Sequence, residues 1–217
     1  MTTDSIGQKM IKSQSSNFQN IEEHPKLIKI LDSVDTIIEE YGKLNLELMP
    51  IDRIDKSHQQ VLYEVMNYVS SGGQYGWIKG WGTDSGPENW TQLALIYFDQ
   101  AVPFITTQLP QTIKILSDIS GIKLAAFVKM NPNTLLRKHD HPELKREGLL
   151  QMHLTLEAAR VDNYSYINIE GEFKQHHLRK GFVFDGSHTH FAFNASDSDR
   201  TILYLSLIHI SEPTRPY

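Results

Sequence analysis

The second half of this chain is a succession of short apolar and β-branched runs separated by turn residues. These runs lie at 123–130, 149–156, 164–169, 173–178, 181–184, 190–194 and 201–204. Asn, Gly, Pro and Asp occupy the intervals, as in Asn131-Pro132-Asn133 and Glu170-Gly171. Many short strands at this spacing are typical of a β-sandwich or barrel.

The first part of the chain has a helical pattern instead. Apolar residues from Leu27 to Tyr41 recur at spacings of one, three and four, and Gly42 follows as a stop. Helices are expected at 25–42, 57–69 and 110–120, and strands at 77–81 and 90–98. The prediction is a mainly β, α+β fold: a double-stranded β-helix, or jelly roll, buttressed by N-terminal helices.

The domain organisation follows from length and composition. With 217 residues, 40% of them hydrophobic, the chain can form one sizeable core. We therefore expect a single domain over 25–204, helical over 25–69 and a jelly roll from about residue 77. Residues 1–24 are polar and are expected to form a disordered arm. Residues 205–217 (LSLIHISEPTRPY) look like translated sequencing-adapter read-through and are set aside as non-native.

Charge and cysteine content exclude several classes of function. The net charge is −5 and Lys and Arg are scattered, which argues against nucleic-acid binding. The N-terminus has no apolar signal-peptide core, and no apolar run is long enough to span a bilayer, so the expectation is a cytoplasmic protein with no membrane partner. Because the chain contains no cysteine, a transition metal would have to bind nitrogen and oxygen ligands.

Histidines supply such ligands in three short clusters: His139/His141, His176/His177 and His188/His190. The first and third lie at expected strand ends, where the mouth of a barrel would be. A cupin-like barrel that binds Fe(II) takes ligands from an early and a late strand. The alternative is that these histidines lie on the surface in polar turns. His176 and His177 fall in an expected strand away from the mouth and are interpreted as structural or exposed.

Four segments between Trp90 and Tyr204 carry a resemblance to a known family. The run 131–139 is similar to the aspartyl/asparaginyl β-hydroxylase pattern, in which a Pro-x-Thr turn precedes the first metal-binding His by seven residues, as Pro132 precedes His139. The runs 151–156 and 181–190 resemble that family's next strand and its segment ending in the distal His. Arg200 opens an apolar strand at the position of the family's 2-oxoglutarate-binding Arg.

The resemblance implies a dioxygenase that depends on Fe(II) and uses 2-oxoglutarate and O2 as cosubstrates. His139 and His190 would bind the metal, and Arg200 would bind the distal carboxylate of 2-oxoglutarate. His153 would donate a hydrogen bond beside the cosubstrate. The substrate would be an aspartyl or asparaginyl residue of a peptide, or a small amino-acid-like molecule.

Two departures from the family pattern leave alternatives open. His141 stands where many Fe(II) oxygenases have a carboxylate. The metal could therefore be bound by three histidines, or by His139 and His190 alone with His141 next to these ligands but not bound to the metal. Glu143 offers a competing His-x-Glu pair with His141. Gln151 replaces a family Arg, so its part in cosubstrate binding is open. A cupin-type protein that binds a metal or small molecule without oxygenase activity is the alternative function.

Overall fold

The computed structural model describes residues 16–53, 55–80 and 90–208, with the side chains of 58, 142 and 143 left out. The helices are α1 (Pro25–Asp32), α2 (Val34–Gly42), α3 (His58–Ser70), α4 (Pro110–Ser117) and α5 (Pro142–Glu147), with a 3-10 turn at Ile21–Glu23. The strands are β1 (Phe18–Gln19), β2 (Ile78–Lys79), β3 (Trp90–Tyr97), β4 (Gln100–Ala101), β5 (Ile122–Met130), β6 (Thr134–His139), β7 (Leu149–Glu157), β8 (Ser165–Ile169), β9 (Glu172–Gln175), β10 (Gly181–Phe184), β11 (His190–Asn194) and β12 (Arg200–Ile208).

The strands form two antiparallel sheets. The larger has the order β1-β10-β7-β12-β5-β3-β2, with β4 paired to β3, and the smaller has the order β6-β11-β8-β9. Apart from the pairs β2-β3, β3-β4 and β8-β9, neighbouring strands are not consecutive in sequence, as expected for a jelly roll rather than a meander. The predicted mainly β, cupin-like fold is confirmed.

Alternation along the central strands separates two environments. Met152 and Leu154 of β7 belong to one core with Leu27, Ile30 and Ile37 of the helices, so this face of the large sheet is covered by α1 and α2. Since side chains alternate along a strand, Gln151 and His153 lie on the opposite face, inside the barrel. A second, smaller core lies there, made of Phe18, Met130, Ile167, Ile169, Phe182, Phe184 and Ala192. The helices therefore buttress the sheet from outside and leave the barrel interior available.

The N-terminal part differs from expectation in two places. The single helix expected at 25–42 is two helices, α1 and α2, which meet at Ser33. Part of the expected disordered arm is ordered. Phe18 pairs with Phe184 and is buried, and Ile21 is buried against the helices. Apolar contact thus anchors residues 16–24, and residues 1–15 lie outside the described range.

Other secondary-structure elements also differ from the sequence prediction. β6 and α5 were not predicted, because 134–147 is rich in charged residues and β6 is only partly buried. β12 continues to Ile208, with Leu205 and Leu207 buried in the sheet, so the start of the segment set aside as non-native takes part in the fold. Its origin stays a prediction, and 209–217 lie outside the described residues. Trp81 of the expected strand 77–81 is also outside them.

Gly181 marks a close approach between β10 and β7. A Cβ at this position would lie 2.6 Å from the carbonyl oxygen of His153, a backbone atom that cannot move aside cheaply. Gly181→Ala should therefore lower the free energy of unfolding by about 1–3 kcal/mol, measured by urea denaturation. The control is Gly42→Ala at the end of α2, where a Cβ would meet no atom within 4 Å, and stability should hold or rise slightly. Equal stability of the two variants would contradict this packing.

Among the described helices, none has the length and apolar character needed to cross a membrane.

Candidate metal centre

Two paired strands of the small sheet present the first two histidines. His139 ends β6 and His190 begins β11, and the two residues are direct partners across the antiparallel ladder. The register shifts between His190 and Ala192, so the ladder is irregular beside the site. The ring centroids of His139 and His190 lie 4.3 Å apart. Strand pairing alone therefore brings together two residues that are far apart in sequence.

His141 completes a triangle of imidazoles. It directly precedes α5, and its ring centroid lies 5.0 Å from that of His139 and 5.6 Å from that of His190. One ring nitrogen from each of the three lies within 4.8 Å of the others. The structure thus brings the three predicted candidate metal ligands close together. The side chain of Glu143, the competing candidate, is outside the described part of the chain.

Main-chain carbonyls set the tautomers of two of these rings. Nδ1 of His139 lies 2.6 Å from the carbonyl oxygen of Arg137, and Nδ1 of His190 lies 2.7 Å from that of His188. A carbonyl oxygen only accepts, so each Nδ1 carries the proton and each Nε2 keeps its lone pair. Orientation of this kind is typical of metal-binding histidines.

The electrostatics of His190 also suit a metal ligand. Burial lowers its pKa to about 4, the His188 carbonyl opposes the shift, and the neighbouring His139 and His141 lower it further. The ring is therefore neutral at neutral pH. A neutral imidazole is the form that binds a metal.

Arg200, predicted to bind the cosubstrate, begins β12 inside the barrel. The residue is 2% exposed and Nη2 donates to the sulfur of Met130, while Nε is buried and has no hydrogen-bond partner among the described residues. Burial lowers the pKa of Arg200 to about 9, and it remains charged at neutral pH. In the described part of the chain no carboxylate forms an ion pair with it. A buried cation in this state would be stabilised by an anion bound next to it.

His153 and Gln151 lie on β7, on the same inner face. His153 is enclosed by Phe182, Phe184 and Tyr204, and burial, followed by the charge of Arg200, holds its pKa well below the usual value. Gln151 is buried and donates from Nε2 to the hydroxyl of Tyr204 at 2.9 Å. The interior thus combines a cation with neutral polar groups.

His176 was expected to lie away from the site, as a structural or exposed residue. It is fully buried, which fits the structural alternative, but its Nε2 lies 3.2 Å from Nδ1 of His153, so it is not remote from the site. Its neighbours Lys174, Gln175 and His177 are all polar, so hydrophobic alternation carries no signal for its burial. Only the packing of the chain after β9 reveals it.

The two sheets and the histidine cluster define the class: a cupin-type jelly roll with a candidate three-histidine metal site at the junction of β6 and β11. Within that class, the family model described as aspartyl/asparaginyl beta-hydroxylase matches residues 55–210. The chain therefore belongs to the aspartyl/asparaginyl β-hydroxylase family, as its motifs predicted.

Similarity to solved structures is distant. KdgF from Halomonas sp. shares 16% identity and a TM-score of 0.37, over 62% of this chain and 87% of that one. The Cupin_2 domain of an XRE family transcriptional regulator from Enterobacter cloacae shares 15% identity and a TM-score of 0.38, over 56% and 99%. A predicted oxalate decarboxylase from Thermotoga maritima shares 13% identity and a TM-score of 0.37, over 55% and 80%. No curated protein matches the chain.

Proposed function

We propose that this protein is an Fe(II)- and 2-oxoglutarate-dependent dioxygenase that hydroxylates a C–H bond of an aspartyl or asparaginyl residue, or of a small amino-acid-like substrate. In such a reaction one oxygen atom enters the substrate, and 2-oxoglutarate is converted to succinate and CO2 with the other. The observation that supports it best is the buried Arg200, without a carboxylate partner in the described chain, inside the barrel that carries three convergent histidines.

His139, His141 and His190 are the residues that would hold the metal. Two nitrogens bound to one ion at about 2.0–2.2 Å can lie up to roughly 4.4 Å apart, so small side-chain rotations from the present spacing would suffice. Neutral imidazoles suit Fe(II) among other divalent metals, and three protein ligands leave positions open. Bound Fe(II) would supply the activation of O2. The chain's own residues hold the ligands in orientation through the Arg137 and His188 carbonyls.

Arg200 is proposed to bind the distal carboxylate of 2-oxoglutarate. A guanidinium offers paired donors that match a carboxylate, and the low polarity around Met130 and Phe184 strengthens that attraction. His153 is proposed to add one hydrogen bond. Gln151 replaces a family Arg and is held by Tyr204, so its contribution is a neutral amide rather than a second charge.

The partners and location stay proposals. A peptide or small-molecule substrate fits membership of the β-hydroxylase family, and binding of nucleic acid is not expected given the net charge of −5. A cytoplasmic location remains the expectation from the sequence.

The second candidate is a cupin-type metal-binding protein without oxygenase activity. The third candidate ligand favours it, because His141 stands where many Fe(II) oxygenases have a carboxylate. The interior cation favours the oxygenase instead, since a protein that only binds a metal has no need of a buried guanidinium.

The test is conversion of 2-oxoglutarate to succinate by purified protein with Fe(II) under air, screened against free amino acids and peptides containing Asp or Asn. The expected result is succinate formation that depends on both Fe(II) and O2. A hydroxylated product, which contains one oxygen atom more than the substrate, should form in an equal amount. Metal binding without any 2-oxoglutarate binding or turnover would support the second candidate.

A further inference from the structure

A second pair of histidines lies inside the barrel, on different strands from the three that converge at the mouth. His153 lies in the middle of β7 and His176 directly follows β9, and their rings stack at a centroid distance of 5.4 Å and an angle of 25°. The main chain of His176 is fixed on both sides: its N–H donates to the Ser165 carbonyl, and its carbonyl accepts from the Asn163 side chain at 2.7 Å. The ring of His176 is therefore held rigidly against His153.

The contact between Nδ1 of His153 and Nε2 of His176 admits two arrangements of protons. In the first, His176 donates from Nε2, and its Nδ1 is a bare lone pair. In the second, His153 donates from Nδ1, and the proton of His176 is on Nδ1. Nδ1 of His176 is buried and has no hydrogen-bond partner within the described ranges. An orphaned buried N–H is rarer in folded proteins than an acceptor with a spare lone pair, so the first arrangement is favoured.

Both rings are neutral, which is what this choice between tautomers requires. Burial, and after it the charge of Arg200, holds the pKa of His153 and of His176 well below the usual value. Each neutral imidazole carries one N–H proton, so in a hydrogen bond between two neutral rings one ring donates its proton and the other accepts with its bare nitrogen. If His176 donates to Nδ1 of His153, then the proton of His153 is on Nε2.

We propose that His176 is a positioning residue that holds His153 in the Nε2–H tautomer and so makes it a hydrogen-bond donor toward an anion bound at Arg200. In the opposite tautomer His153 would present a lone pair there and repel a carboxylate. The role assigned to the anion depends on the proposed function, whereas the tautomer itself does not. His176 touches neither the metal ligands nor the anion in this scheme and acts through His153.

The first measurement addresses the tautomer without any cofactor. Long-range ¹H–¹⁵N correlation spectra of the metal-free protein should show His153 protonated on Nε2, with His176 also in its Nε2–H form. In His176→Phe, which fills the same space without a donor, His153 should change to the Nδ1–H form or to a mixture. Wild-type protein with His153 protonated on Nδ1 would overturn the proposal, whether or not the protein is an oxygenase.

The second measurement addresses the anion. With Mn(II) in place of iron, calorimetric titration of 2-oxoglutarate should show affinity for His176→Phe weakened roughly tenfold or more, the loss expected for one hydrogen bond to a charged group. Mn(II) affinity should be unchanged. His176→Gln, whose amide can donate from a similar position, should recover most of the affinity. His177→Phe, at the exposed neighbouring residue, is the matched control and should behave as wild type.

The outcomes separate the two claims. Normal 2-oxoglutarate affinity in His176→Phe, or equal losses in the Phe and Gln variants, would show that His176 only fills space. Absence of 2-oxoglutarate binding in the wild type, together with the Nε2–H tautomer of His153, would overturn the proposed cosubstrate but leave the histidine pair as a donor to another anion. Should His176→Phe fail to fold, the wild-type spectrum and the Gln variant still decide the matter.

Discussion

His190→Ala is expected to abolish metal binding and turnover together. The side chain of His190 is buried, and the His188 carbonyl accepts a hydrogen bond from its Nδ1, which leaves Nε2 for a metal, so the substitution removes the most buried of the three candidate ligands. The two that remain, His139 and His141, belong to one short segment and are less buried. Metal content after dialysis and 2-oxoglutarate turnover should both fall to background, because the metal is needed for the chemistry.

His188→Ala is the matched control for this experiment. His188 lies in the turn just before β11, its side chain is about half exposed, and it is its backbone carbonyl that contacts His190. The control should keep metal and activity near wild type. Retention of stoichiometric metal by His190→Ala would show that the ion binds elsewhere.

Arg200→Met is expected to weaken 2-oxoglutarate binding severely and at the same time to stabilise the protein without ligands. Methionine approximates the length of the arginine and can pack beside Met130, while it removes a charge that has no anionic partner in the described chain. Loss of a buried charge partner should weaken 2-oxoglutarate binding by about 100-fold or more. Removal of the unpaired charge should raise the free energy of unfolding by about 1–3 kcal/mol.

Binding calorimetry and urea denaturation check the two halves of this prediction separately. Arg200→Lys keeps the charge but not the paired donors, so its affinity should lie between those of wild type and Arg200→Met. Metal affinity should be nearly unchanged in both variants. A destabilised Arg200→Met protein with unchanged 2-oxoglutarate affinity would mean that the guanidinium is structural.

Much of the fold could be predicted because its strands carry local signals. β7, β10 and β11 have alternating or continuous apolar residues bounded by turns, and their observed limits match expectation closely. β6 could not be predicted from its own residues, since it is paired with β11 along its length and, of its two leucines, Leu135 is exposed and only Leu136 packs against the inner core. The order of residues 16–24 likewise depends on tertiary contacts, those of Phe18 and Ile21 and the hydrogen bonds of the segment to Glu172.

The candidate site, like the fold, could be predicted from the sequence only in part. The spacing from Pro132 to His139 and the run ending at His190 pointed to the two histidines, and the structure brings both together with His141; their role as ligands stays a prediction. The inward position of Arg200 followed from its place at the start of an apolar strand. The burial of His176 and its contact with His153 could not be inferred, because they arise from a turn that folds back onto a distant strand.

The central claim is that one pocket binds Fe(II) and 2-oxoglutarate together, and anaerobic absorption spectroscopy tests it without knowledge of the substrate. A 2-oxo acid that chelates Fe(II) through its carboxylate and keto oxygens produces a charge-transfer band in the visible range. This band should appear when 2-oxoglutarate is added to the Fe(II)-loaded protein, should be lost in His190→Ala, and should require far more 2-oxoglutarate in Arg200→Met. Absence of the band in a wild-type protein that has bound Fe(II), or an unchanged titration in Arg200→Met, would contradict it.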